Sequence, residues 1–266
     1  MSNTLDNLIK ERAPLIFKSS LTANLLRRLL MKIFKYEETT KTINEVSKLS
    51  YSDVFNFLGN EYTPNVSITG LDNIPNDGSA LIVANHPMGP ADAISLTSKL
   101  QSKRKDIYIF ANKVFIDLVP PFSKCMAPLY WDGNNEIHSA NKSTLSSMLT
   151  FIDAGMIGIY FPSGRVAKYG LSKTNEYPWY ETPLTIASRY NLKIIPVYID
   201  AKNSFLFYLA RSLHKNLRDI SQIYELINKK NKRINITIGS QISRNELNND
   251  SKKAIQDLRV IVESLR

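Results

Sequence analysis

Hydrophobic positions change their period near residue 60. Before it they recur at helical spacing. The run from Ser20 to Lys35 sets Leu21, Leu25, Leu26, Leu29, Leu30, Ile33 and Phe34 on one broad stripe, flanked by Arg27, Arg28, Lys32 and Lys35. A basic amphipathic helix of this kind suits the interface of an anionic membrane. It equally suits a helix packed on the protein's own core with a solvated basic face. Thr39 to Ser50 is polar, and Tyr51 to Leu58 predicts a further short helix.

From Val66 the texture becomes alternating strands and helices. Val66 to Thr69 predicts a short strand ended by Gly70. Ala80 to Ala84 (ALIVA) is continuously apolar, as expected of a strand buried on both faces. Proline suits the first helical position, so a helix is predicted from Pro90 to Lys103. Further strands are expected at Ile107 to Ala111, Met126 to Trp131, Ile157 to Phe161, Lys193 to Ile199 and Arg233 to Ile238. Further helices are expected at Ser139 to Asp153, Pro183 to Tyr190, Phe205 to His214, Ile220 to Lys229 and Asp250 to Arg266. The alternation predicts an α/β fold with a mixed, largely parallel central sheet flanked by helices. Residues 1–60 form its N-terminal helical, membrane-associating candidate segment, and residues 61–266 the α/β domain.

Composition narrows the function classes. A chain of 266 residues that is 43% hydrophobic and 22% charged can bury one sizeable core, unlike a disordered or collagen-like chain. A single cysteine, Cys125, excludes a disulfide framework and Cys-rich metal sites, and next to Met126 it reads as a small core residue. With only three histidines, His86, His138 and His214, no multi-histidine metal centre is expected, and the last two suggest no role. The formal charge of +10 favours anionic partners: nucleic acid, an acidic bilayer face or phosphorylated small molecules. The least charged stretches, Ser79 to Ser98 and Ser143 to Gly164, are broken by proline, glycine and aspartate, so no membrane span is expected. The opening residues have early acids and no apolar run of a secretory signal. A cytoplasmic protein, peripheral on the inner face of the cell membrane, is the resulting expectation.

The chemistry concentrates after the buried strand. In Asn85-His86-Pro87-Met88-Gly89-Pro90-Ala91-Asp92 the histidine sits at a carboxyl-terminal strand end, where open α/β sheets hold ligands. With Pro90 as the first helical residue, Asp92 is the third, and its carboxylate can fold back toward the turn. A carboxylate accepting one imidazole N–H fixes the tautomer and makes the other nitrogen a base, able to take a proton from a hydroxyl. The plain alternative is a histidine and an aspartate that only cap a turn.

The segment NHPMGPAD resembles the His/Asp signature of the glycerolipid acyltransferase family, the lysophospholipid and glycerol-phosphate acyltransferases. Phe161-Pro162-Ser163-Gly164-Arg165 resembles its Phe-Pro-x-Gly block and Ile194-Ile195-Pro196-Val197 its final proline-centred strand. Val66-Ser67-Ile68-Thr69-Gly70 through Pro75 is similar to the lead-in of its first block. The order matches from about residue 64 to 240. Five residues separate His86 from Asp92 where four are usual, and Ser163 stands where the family has glutamate, with Arg165 directly after Gly164. Both departures resemble the haemolysin-like or ornithine-lipid acyltransferase branch.

The resemblance implies transfer of a fatty acyl group from acyl-CoA or acyl-carrier protein, as co-substrate, to a hydroxyl of a lysolipid or glycerol-phosphate-type acceptor, with no metal and no other cofactor. His86 would be the general base and Asp92 its orienting partner. Direct transfer needs no serine nucleophile, and no G-x-S-x-G elbow occurs in the chain. Backbone N–H groups around Gly164 are candidates for the oxyanion site. Ser163 is a candidate to bond substrate, against the plainer turn serine. Arg165 and Lys168 are placed for an anionic acceptor or the donor's phosphates, arginine by a bidentate fork. Lys113, after a strand where the family's second block lines the acceptor site, could meet a phosphate or be a surface lysine. Trp131-Asp132-Gly133 reads as a strand end and turn.

Two other classes stay open on the sequence. One is a non-catalytic basic module that binds membrane or nucleic acid, although no zinc-finger spacing, RNP-like motif or basic arm supports nucleic acid. The other is a thioesterase that hands the acyl group to water. The amphipathic helix tips the balance toward a lipid alcohol.

Overall fold

The computed structural model describes residues 2–12, 20–129, 142–168, 175–213, 221–222 and 224–266. Four helices lead the chain: α1 (Ser2–Arg12), α2 (Leu21–Ile33), α3 (Tyr36–Val46) and α4 (Tyr51–Tyr62). Serines start two of them. Ser20 accepts the Ala23 N–H at 3.1 Å, and Ser50 accepts the Asp53 N–H at 3.2 Å, each satisfying a donor that the first helical turn leaves unpaired.

Seven strands follow: β1 (Val66–Thr69), β2 (Ala80–Ala84), β3 (Ile107–Asn112), β4 (Met126–Leu129), β5 (Ile157–Tyr160), β6 (Lys193–Asp200) and β7 (Ile234–Ile238). They form one sheet in the order β1-β7-β6-β2-β5-β3-β4. The five strands from β6 to β4 run parallel, while β7 is antiparallel to β6 and parallel to β1. This is the largely parallel sheet that the alternating pattern predicts. Between the strands lie α5 (Pro90–Leu100), α6 (Val114–Leu118), α7 (Lys142–Asp153), α8 (Thr182–Arg189) and α9 (Phe205–Leu213), and α10 (Ser251–Ser264) closes the chain.

All five residues of central β2 are buried, which explains why its sequence shows no polar alternation. Its side chains still divide between two cores, because successive residues of a strand point to opposite faces. Ala80, Ile82 and Ala84 pack with Phe55, Leu58 and Leu96, under the layer that contains α4 and α5. Leu81 and Val83 pack with Phe151, Leu184 and Leu258, from α7, α8 and α10. Helices α1 and α4 belong to the first core, since Leu5, Ile9, Val54, Phe55 and Leu58 are buried in it. A Cβ on Gly59 would lie 2.1 Å from Ser98 Oγ, so α4 approaches α5 too closely for any side chain at that position. The helix predicted to reach Lys103 ends earlier, at Leu100, whose carbonyl accepts from both Lys103 and Arg104 N–H in a closing turn. Short α6 lies where no element is predicted, because five residues carry too little periodicity to read. Trp131-Asp132-Gly133, His138 and His214 lie outside the described residues.

Parallel strands end together, so the segments after β2, β5 and β3 share one rim of the sheet, and those before them share the other. The amino-terminal rim is tied by one side chain. Buried Arg104 donates to Gly78 O at 2.7 Å and Gly155 O at 2.8 Å, and pairs with Asp106, thereby joining the entries to β2, β5 and β3. The guanidinium's hydrogen bond holds the Asp106 carboxyl below its ordinary range. A carboxyl depressed in the folded state adds stability above its unfolded pKa and loses it as pH falls through the folded value.

Arg104→Met strands the carbonyls of Gly78 and Gly155, loses a longer contact to Pro75 O at 3.4 Å, and removes that partner of Asp106. It should lower unfolding stability by about 3 kcal/mol in urea titration at pH 7, with part of the gap closing in acid. An unchanged midpoint would contradict this role.

Candidate active site

The carboxyl-terminal rim begins with a side chain that extends the sheet. Buried Asn85 donates its Nδ2 to Ile199 O at 2.9 Å and accepts the Ile199 N–H on Oδ1 at 2.7 Å. It thus pairs with β6 one step beyond the backbone ladder and fixes where the next residue begins. That residue is His86. Its carbonyl accepts the Ala167 N–H at 2.9 Å, its N–H donates to Glu176 Oε1, and its ring stacks on Phe161 with centroids 4.3 Å apart.

The chain then turns sharply. Gly89 has φ +85°, so the turn calls for glycine on conformational grounds, and a Cβ there would also press on Val166 Cγ2 at 3.0 Å. Gly89 caps α5, Pro90 is its first residue and Asp92 its third, as the proline position predicts. Asp92 is fully buried, and its Oδ2 accepts the Met88 and Gly89 N–H groups, each at 2.9 Å. The helix amino terminus attracts this charge. The same oxygen lies 2.9 Å from His86 Nδ1.

That contact has the distance of a hydrogen bond but lies off its line, and Asp92 Oδ1 has no hydrogen-bond partner among the described residues. Catalytic hydrogen bonds are often poorly aligned before substrate arrives. The imidazole side chain is 17% exposed while Nδ1 is buried, so the opposite edge of the ring faces the rim. The sequence-predicted pair is therefore brought together, with the carboxylate inside and one edge of the imidazole at the surface.

The strand next to β2 supplies the second wall. After β5, the Gly164 N–H closes a turn on Phe161 O at 3.0 Å, with Gly164 at φ +58°. Gly164 is thus a turn-former whose own N–H is engaged within the turn, not directed at a reacting oxygen. Ser163 is buried and donates its Oγ to Arg165 O at 3.0 Å, so it serves the same turn. Arg165 and Lys168 converge on one aromatic ring, with Cζ 5.3 Å and Nζ 4.7 Å from the Tyr177 centroid. Lys168 and Asn175 exchange backbone hydrogen bonds of 2.8 and 3.0 Å, so two antiparallel arms cross beside His86. Lys113 stands apart. It follows β3, two strands from β2 and so about 10 Å along the rim, and its Nζ reaches Asp117 Oδ1 at 2.5 Å.

Further residues of the site carry little signal in the sequence. Glu176 receives the Trp179 Nε1–H at 2.6 Å besides the His86 N–H. Burial pushes its carboxyl above the ordinary glutamate range, opposed by those two donors. Beneath the turn, Asn203 Nδ2 approaches Pro87 O and Met88 O at 3.4 Å, and its Oδ1 accepts from Lys229 Nζ at 2.8 Å. Lys229 also donates to Glu225 Oε2 at 2.6 Å, and both are buried. Burial pulls the Lys229 ammonium down in pKa, and the Glu225 carboxylate opposes this. In sequence the pair looks like a solvated i, i+4 contact on a polar helix.

Among the described residues, no group of three or more His, Cys, Asp or Glu is arranged to hold a metal ion, and no helix is long and apolar enough to cross a membrane. Cys125 is buried, and desolvation pushes its thiol pKa up to about 12, which leaves it inert as a nucleophile.

A family model described as "Acyltransferase" matches residues 8–264. The lyso-glycine lipid O-acyltransferase of Phocaeicola vulgatus is 24% identical over 188 residues, which cover 66% of this chain and 64% of that protein. The lyso-glycine lipid O-acyltransferase of Bacteroides thetaiotaomicron is 22% identical over 250 residues, 90% of this chain and 87% of that protein. The match to the first of these relatives thus spans slightly less than two thirds of its length. Among solved structures, the 1-acyl-sn-glycerophosphate (LPA) acyltransferase PlsC of Thermotoga maritima shares the fold, with TM-score 0.54 at 14% identity, over 91% of this chain and 95% of that one. Matched by the family model along nearly its whole length, the chain belongs to the acyltransferase family.

Proposed function

We propose that this protein transfers a fatty acyl group from a thioester, acyl-CoA or acyl-carrier protein, to a hydroxyl of a lysolipid-type acceptor at a membrane surface. The observation that carries the reading is the contact of His86 Nδ1 with buried Asp92 at an open strand-end rim. The names of the two lyso-glycine lipid O-acyltransferases and of the glycerophosphate acyltransferase support a lysolipid acceptor.

In the proposed step, His86 Nε2 takes the proton of the acceptor hydroxyl while its oxygen bonds to the thioester carbonyl carbon. Asp92 holds the imidazole and stabilises the imidazolium that forms. Collapse of the tetrahedral intermediate breaks the carbon–sulfur bond, and the departing thiolate recovers the proton from His86. No enzyme nucleophile is required, in keeping with an inert Cys125 and a Ser163 bonded into its turn. Arg165 and Lys168 are the proposed partners of an anionic group on acceptor or donor, and Lys113 a more distant one. The turn around Gly164 is the proposed region of oxyanion stabilisation, through N–H groups other than that of Gly164 itself.

Membrane attachment is proposed for α2. Of its residues only Ala23 is buried, while Leu21 and Leu25 are 89% and 71% exposed and Leu26, Leu29 and Ile33 also face outward. Arg28 and Lys32 are exposed beside them. Phe34, just past the helix, is buried edge-on against Tyr224, which ties the end of α2 to the domain. An apolar stripe with basic flanks turned to solvent fits an anionic bilayer surface, and the inner face of the cell membrane is the proposed one.

Two experiments test this reading. With palmitoyl-CoA and lysolipid in mixed micelles, His86→Ala should lose at least about 10³-fold in turnover, and Asp92→Asn about 10²- to 10⁴-fold in kcat with little change in KM. Retained turnover in either variant would remove the pair from the mechanism, and release of free fatty acid alone would make water the acceptor. Leu25→Ser/Leu29→Ser should weaken sedimentation with phosphatidylglycerol vesicles by roughly 150-fold, from about 1.5 kcal/mol for each leucine. Unchanged vesicle binding would refute the role of α2.

A further inference from the structure

We infer that Glu176 is a positioning residue for acyl transfer: its carboxylate fixes the backbone of His86 and, through it, the direction of the imidazole. The inference rests on His86 acting as the base.

Both hydrogen-bonding groups of the His86 main chain are taken, and by opposite arms of the crossing pair. Ala167, on the first arm, donates to the His86 carbonyl at 2.9 Å, and Glu176, on the second, accepts the His86 N–H. The reciprocal bonds between Lys168 and Asn175 hold the arms in register. With the peptide gripped at both ends and the ring stacked on Phe161, the imidazole keeps little freedom other than rotation about its own side-chain bonds. A base within contact distance of its acid but out of line needs a fixed pivot if a small rotation is to align it when substrate binds.

The chemistry of the site calls for a carboxylate in particular. Each oxygen of Glu176 serves one donor, Oε1 the His86 N–H and Oε2 the Trp179 Nε1–H. A half-buried negative charge that faces a second carboxylate, Asp92, is unfavourable, and burial and Asp92 both raise the Glu176 carboxyl. Two donors aimed at two acceptor oxygens offset that cost. An amide has one acceptor and one donor, so glutamine can satisfy His86 or Trp179 but sets its NH₂ against the other. Removing the Trp179 donor removes the conflict.

The test compares Glu176→Gln, Trp179→Phe, the double variant and His86→Ala in one micelle assay, with thermal midpoints recorded for all four. The expected result is a drop of about 10- to 100-fold in kcat for Glu176→Gln, with KM for thioester and lysolipid within about threefold. The double variant should then recover to within about fivefold of Trp179→Phe alone. Wild-type kcat in Glu176→Gln, a loss confined to KM, or no recovery in the double variant would each overturn the inference. The last comparison holds even where Glu176→Gln alone is poorly folded. An inactive His86→Ala beside a wild-type-like Glu176→Gln leaves the base intact and sinks only Glu176. An active His86→Ala sinks both.

Discussion

The buried carboxylate of Asp92 organises the rim. Its Oδ2 accepts two backbone N–H groups of the turn and meets His86 Nδ1, so one oxygen both closes the turn and faces the imidazole. Hydrogen bonds to a charged acceptor are worth about 1.5–3 kcal/mol each, and the amino terminus of α5 adds its partial positive charge. These terms compensate for holding a charge out of water, which an isolated carboxylate could not sustain. The positive φ of Gly89 follows from the same demand, because the N–H groups at 88 and 89 can point at one oxygen only if the chain reverses tightly.

Around that carboxylate the two rims of the sheet have different tasks. The amino-terminal rim is locked by Arg104, whose partners lie at the entries to three parallel strands. At the other rim the same strands release the His86 turn and the Gly164 turn side by side. Rigidity below lets loops above hold a geometry, and the Lys229–Glu225 pair extends it, supporting the turn through Asn203. A buried ion pair is a poor source of stability. Here its observed contacts lead to the carbonyls of Pro87 and Met88, where it has a positional part to play.

What could be read from the sequence was whatever depends on neighbours in the chain. ALIVA marks a strand buried on both faces, Pro90 sets the helix start, and that start brings Asp92 back toward His86, all within a dozen residues. The leucine stripe of α2 was equally visible, though periodicity could not say whether it faced the core or the solvent; five of its apolar side chains are exposed. Contacts made across the fold left no such trace. Glu176 meets His86 over 90 residues, and Asn203 meets Pro87 over 116, each by way of strand order. The Gly164 N–H was a candidate oxyanion donor because glycine permits close approach, but pattern alone does not reveal that the turn consumes it.

The most direct test of the dyad is the protonation of its imidazole. The chain has three histidines, so nitrogen-15 spectra of the imidazoles can be assigned with single His→Gln variants. For neutral His86, the expected result is the tautomer with its proton on Nδ1, toward Asp92, and a bare Nε2, with the Nδ1 signal altered when Asp92 becomes Asn. A proton on Nε2 that is indifferent to Asp92 would contradict the assignment of His86 as the base.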